Sequence, residues 1–145
     1  MRPAASSDRI AGSLHSGRAT RLAAMIQGAP DWLGRARRAA LSLRATTRGA
    51  SGAKQSVYVI LLHDDRRPDP WGLYVGQTSR DPDMRFDQHK SGYKASGPAR
   101  RFGVRLLPDL VAHLNPMRPW EALELEAALA EDFLAAGVPW VEGGH

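Results

Sequence analysis

Residues 56–62, Ser-Val-Tyr-Val-Ile-Leu-Leu, are dense in β-branched side chains, and a second run of the same character, Leu-Tyr-Val-Gly-Gln-Thr, follows at 73–78. Between them His63 to Gly72 is crowded with Asp, Pro and Gly. Two such runs around a turn-forming segment predict a hairpin with a long loop, with Tyr58 and Tyr74 on neighbouring strands. Next, Asp81 is suited to cap a helix, Pro82 to its first position and Gly92 to a left-handed stop. Within those bounds Arg85 and His89 are four residues apart and share a face. Taken singly these groups are unremarkable in type: strand tyrosines mostly pack, and Arg85 or His89 alone reads as surface.

A second helix is predicted over residues 120–136, a segment rich in Ala, Leu and Glu without internal Gly or Pro, with Pro119 at its first position and Gly137 at its stop. At about 100° per residue, Ala122, Leu123, Leu129, Ala130 and Phe133 all fall within about 60° of Glu126. Glu124, Glu131 and Asp132 fall on the opposite, solvated side. A carboxylate in the middle of an apolar stripe costs several kcal/mol unless it is paired, protonated or bound to a metal. Two explanations fit Glu126: a core carboxylate satisfied by an arginine, or a metal ligand.

Residues 101–107 read as a third strand, bounded by Ser96-Gly97-Pro98 and Pro108. The expected fold class is therefore α+β, a small three-stranded antiparallel sheet flanked by helices. Residues 137–145 read as a tail, with Trp140 and Val141 as packing anchors. The chain has no cysteine, which excludes disulfides, thiolate metal sites and cysteine nucleophiles. Its five histidines show no metal-ligand spacing. No apolar run reaches membrane-spanning length, so no membrane partner and a cytoplasmic setting are expected.

The formal charge of +5 conceals an asymmetry. Residues 1–54 hold ten Lys or Arg against two Asp, net +8, whereas residues 55–145 hold ten against thirteen Asp or Glu, net −3. The chain thus divides into a basic N-terminal extension and linker, 1–54, and a domain, 55–145. The extension opens on a disorder-type Ser, Ala, Gly and Arg mixture at 2–18. Helical stretches at about 19–27 and 31–44 follow, and a linker at 46–55. Leu33, Ala36, Ala40 and Leu43 recur at helical spacing in the second stretch, among Arg35, Arg37, Arg38 and Arg44. Three readings of this arm stand: a nucleic-acid-binding extension, with Arg35 and Arg38 as phosphate contacts; an organelle transit peptide; or a solvated tail.

Ser56-Val57-Tyr58, Tyr74-Val75-Gly76 and Arg85-Phe86-Asp87-Gln88-His89-Lys90-Ser91-Gly92, in that order, resemble the core of the GIY-YIG nuclease family, with Ser56, Val57 and Val75 where the family tripeptides have Gly, Ile and Ile. The likeness runs from residue 56 to about 144. It implies a phosphodiester-hydrolysing endonuclease acting on DNA, with Mg²⁺ or Mn²⁺ as cofactor. Ala122-Leu123-Glu124-Leu125-Glu126 is similar to the setting of the family's metal-binding Glu, which turns the choice at Glu126 toward a metal. The site the resemblance implies comprises Tyr58, Tyr74, Arg85, His89 and Glu126, with Arg85 on the phosphate, Tyr74 as the base and His89 orienting a tyrosine or accepting its proton. Lys90 and Lys94 are the corresponding phosphate contacts. A nucleic-acid-binding module on the same fold, without turnover, is the alternative.

Overall fold

The computed structural model describes residues 30–144; the expectations for 2–18 and 19–27 lie outside them. Strands β1 (Ser56–His63) and β2 (Trp71–Thr78) form the expected antiparallel hairpin, in register from Ser56 opposite Thr78 to His63 opposite Trp71. On the other side of β1, β3 (Gly103–Leu106) pairs antiparallel with Ile60 to Leu62 across a register shift. β4 (Val141–Gly143) runs parallel to β2 along Leu73 to Val75. The protein is therefore α+β with a four-stranded mixed sheet, order β3-β1-β2-β4, which corrects the three-stranded antiparallel expectation. The missed strand is three residues long and ends at Gly143, at φ 76°, where any side chain would collide with the Val75 carbonyl. No alternation pattern can mark so short a strand.

Helix α1 (Leu33–Leu41) comes first, α2 (Pro82–Ser91) follows β2, and α3 (Gly97–Phe102) precedes β3. After β3 come a single 3₁₀ turn, Pro108–Leu110, and α4 (Pro119–Ala135). The ends of α2 form as their residues dictate: the Asp81 carboxylate accepts from the Asp83 N–H, and Gly92 stops the helix at φ 93°. Arg101 and Phe102, expected in the third strand, instead end α3, because the Ser96 hydroxyl accepts from the Ala99 N–H and starts a helix with Pro98 in its first turn.

Both faces of the sheet are covered, so β1 is buried from Val57 to His63. Val57, Val59 and Leu61 face α1 and α4, while Tyr58, Ile60 and Leu62 face the side covered by Phe86 of α2 and Ala99 of α3. Trp140, an expected anchor, is buried on this second side, where its ring takes the space left by the missing side chain of Gly72. Helix α1 shares the first core through Leu33, Ala36 and Ala40, and residues 30–54 thus pack with the rest of the described chain. Its arginines serve as ties: Arg35 Nε donates to the Ala136 carbonyl at 2.8 Å, closing the C-terminus of α4, and Arg37 pairs with Asp109 at 2.6 Å. The buried stripe of α4 includes Glu121 and Leu125, whereas Leu123, expected inside, is 54% exposed. Burial is turned to the Leu125 side, consistent with α1 packing on α4 as an extra element of the core.

The segment read as a linker is held by a buried carboxylate. Glu121 Oε2 accepts from the backbone N–H and hydroxyl of Thr46, and Oε1 from those of Thr47. Burial alone would raise the Glu121 pKa, but these hydrogen bonds, led by the Thr47 hydroxyl, outweigh it and lower it from 4.5 to about 2. Glu121→Ala should cost about 2–4 kcal/mol, because several charge-assisted bonds vanish and buried donors are orphaned. A carboxyl with a depressed folded-state pKa stabilises above its unfolded pKa, and that contribution fades as pH falls. The gap between wild type and variant in denaturant midpoint should hold above about pH 4.5 and shrink toward about pH 2. A gap that does not change with pH would refute the carboxylate's role. Among the described residues, no helix is long and apolar enough to cross a membrane.

Candidate functional site

The β1–β2 register sets Tyr58 opposite Gly76 and Tyr74 opposite Ile60, so the two tyrosines are diagonal neighbours on one face, with ring centroids 6.2 Å apart. Gly76 makes this possible. An added Cβ there would lie 2.5 Å from Cζ and Oη of Tyr58, whose ring occupies that place. Gly76→Ala should therefore displace the ring, costing about 1–3 kcal/mol by overpacking. It should also move the His89 ring resonances in NMR spectra. Unchanged stability and unchanged resonances would contradict this contact.

His89 reaches the pair from α2. It is fully buried, its Nε2 lies 2.8 Å from Tyr58 Oη, and its ring meets Tyr74 edge-on at 5.6 Å between centroids. Burial, and then the charge of Arg85, lower its pKa from 6.5 to about 4, so the imidazole is neutral at neutral pH. Its tautomer follows from the other nitrogen: the Ser96 backbone N–H donates to Nδ1 at 3.1 Å, so Nδ1 is bare and Nε2 carries the proton. His89 Nε2–H thus donates to the Tyr58 oxygen. In this arrangement His89 positions Tyr58, and its nitrogen facing the phenol cannot accept a proton.

Tyr58 is buried, whereas Tyr74 is half-buried. Burial raises the Tyr58 pKa well above the usual phenol value, Tyr74 and Glu126 raise it further, and Arg85 opposes them by charge and hydrogen bonding without overcoming them. Tyr58 is therefore a protonated phenol at neutral pH, and Tyr74 is the more accessible of the two. Arg85, one helical turn before His89, also donates Nη1 to Gln88 Oε1 at 3.1 Å and to the Tyr93 carbonyl at 3.4 Å. Its Nη2 donates to the Lys94 carbonyl at 2.7 Å. This pinning of the turn after α2, where Lys94 adopts the left-handed conformation at φ 44°, was not foreseen.

Glu126 approaches from α4, on the other side of the sheet. It is 6% exposed, and the Gln77 side-chain amide donates to its Oε1 at 2.8 Å. Pairing with β4 stops at Val75, so β2 from Gly76 onward is an edge free of β4. A carboxylate is a hard oxygen donor, suited to Mg²⁺ or Mn²⁺ with most of the coordination left to water. Among the described residues no group of three His, Cys, Asp or Glu side chains could hold a metal ion.

The remaining expected contacts are dispersed. Lys90 Nζ donates to the carbonyls of Arg100 and Gly103, tying α2 to α3 and β3. Arg35 and Arg38 stand on α1, which packs against the face opposite the tyrosines. Lys94, in contrast, lines a cavity of about 180 Å³ beside Arg85. The chain matches no protein-family model, no curated protein and no solved structure.

Proposed function

We propose that this chain is a metal-dependent endonuclease that hydrolyses phosphodiester bonds in DNA, on a fold like that of the GIY-YIG nucleases. One observation carries the reading. The buried Tyr58 lies 2.8 Å from His89 Nε2 and 6.2 Å, ring to ring, from Tyr74, with Arg85 one turn before His89 on the same helix, so groups from β1, β2 and α2 meet on one face of the sheet, while Glu126 of α4 is held at Gln77 near the end of β2. Such a set offers what hydrolysis of a phosphodiester needs: a group for the water's proton, a planar cation for the phosphate and a carboxylate for a metal.

In this reading Tyr74 acts as the phenolate: it takes the water's proton as the water oxygen bonds to phosphorus and the bond to the leaving oxygen breaks, and solvent protonates that leaving oxygen. His89 holds Tyr58 by donating to its oxygen, which leaves the Tyr58 O–H to be donated toward Tyr74 or the water. Arg85 turns its guanidinium from the loop carbonyls to the non-bridging oxygens, a geometry that a lysine does not reproduce. Bound at Glu126, Mg²⁺ or Mn²⁺ would supply positive charge to the phosphate and the leaving oxygen.

The engagement of Arg85 by the Tyr93 and Lys94 carbonyls favours a second reading, a nucleic-acid-binding module without turnover. Incubation of the purified protein with linear, nicked, branched and single-stranded DNA decides between them. Cleavage with Mg²⁺ or Mn²⁺ that stops in EDTA is the expected result. Cleavage that persists in EDTA would overturn the metal's role, and binding without cleavage of any form would leave the module.

A further inference from the structure

The turn that follows α2 presents an aromatic ring to solvent at the mouth of a cationic cavity. Tyr93 is 57% exposed, yet its backbone is fixed on both sides: its N–H donates to the Gln88 carbonyl at 3.0 Å and its carbonyl accepts from Arg85. The cavity beside it, about 180 Å³, is lined by Arg80, Arg85 and Lys94 together with Thr78, Gln88 and Tyr93. Three cations and no carboxylate among these residues select an anion. The ring itself packs against no apolar cluster of the described chain; the Lys94 ammonium lies over it, 5.7 Å from the centroid.

We propose that Tyr93 is a base-stacking platform and that the adjoining Arg80–Lys94 cavity takes the neighbouring phosphate, which makes the preferred ligand a nucleic acid with an unpaired nucleotide. The proposal rests on the nucleic-acid reading of the site and narrows it to a class of substrate. Within a duplex both faces of each base are covered by neighbours, so an exposed ring stacks only where a base is single-stranded, frayed or at an overhang. The cavity is too small for a base pair, and its cations contact the backbone without reading sequence. Because the Tyr93 N–H donates to the Gln88 carbonyl, a bond that does not depend on where the Arg85 guanidinium points, the ring is presented already ordered, and little conformational freedom is lost on stacking.

The test measures affinity of the full chain, in EDTA so that nothing is cut, for a fluorescent DNA hairpin with a single-stranded overhang and for the same hairpin with a blunt end. Tyr93→Leu keeps an apolar side chain without a π face, and Tyr93→Phe keeps the face. Wild type should bind the overhang more tightly, and Tyr93→Leu should lose on the order of 10-fold of that affinity while blunt-end binding stays the same. Tyr93→Phe should restore it. An equal loss on both hairpins, no loss on either, or a phenylalanine variant as weak as the leucine variant would each overturn the proposal. The nuclease reading is tested separately by Mg²⁺-dependent cleavage: cleavage with indifferent Tyr93 variants removes only the platform, while selective overhang binding without cleavage retains the platform and removes the nuclease.

Discussion

Replacing Glu126 by Gln should lower cleavage by about 100- to 1,000-fold or more, the scale on which a preorganised electrostatic group acts. The amide keeps the shape of the side chain and can still bond to Gln77, whose own amide donates to Glu126 Oε1 now, so helix packing should survive. What disappears is the negative charge that would hold a divalent ion. Titration with Mn²⁺ should accordingly show the variant's binding lost, with a melting temperature close to that of wild type. A Glu126→Gln protein that cuts DNA at the wild-type rate would end the nuclease assignment as stated. A variant that unfolds would place Glu126 in the packing of α4, and Glu126→Asp, which keeps the charge on a shorter arm, then separates charge from fold: restored folding without cleavage is the expected pattern, and full cleavage is the contrary one.

The parts of this site that lie on single elements were legible in the sequence. Asp81, Pro82 and Gly92 bound α2 by local chemistry, and the four-residue spacing of Arg85 and His89 follows from helical periodicity. The hairpin partners are joined by the polar loop between His63 and Trp71, and Glu126 falls inside the apolar stripe of α4. What the sequence withheld depends on contacts between distant residues. Glu121 finds its donors at Thr46 and Thr47, some seventy residues upstream, and Arg35 closes a helix end more than one hundred residues away. Either residue alone reads as an ordinary surface charge. The same cause misplaced the stripe edge, because Leu125 rather than Leu123 is buried beside α1, a helix that its arginines had assigned to a separate arm.

Helix α3 and strand β4 were missed for a different reason. Each is short enough that its formation is decided by a cap or a close backbone approach, at Ser96 and at Gly143, and not by periodicity. The tautomer of His89 belongs with them. It is set by the Ser96 N–H, which α3's cap residue brings to Nδ1, so a strand in place of that helix start would have left the role of His89 open between donor and acceptor.

Arg85→Lys should reduce cleavage on the order of 100-fold, although charge is conserved. The guanidinium now makes three contacts through Nη1 and Nη2, to Gln88, Tyr93 and Lys94, and it also bears on Tyr58 and lowers the pKa of His89. A lysine ammonium is a point charge with no planar fork, so it cannot bridge two carbonyls and then two phosphate oxygens in the same way. The loss should appear in kcat more than in KM, since the phosphate contact strengthens as charge moves to the non-bridging oxygens in the transition state. Stability should fall little, because the contacts given up are at a half-exposed surface where such bonds contribute modestly. If kcat is unchanged and only the melting temperature drops, Arg85 is a strut for the Tyr93–Lys94 turn and the phosphate clamp must lie elsewhere. Loss of cleavage with the turn intact, visible as retained Tyr93-dependent binding to overhangs, assigns the clamp to Arg85.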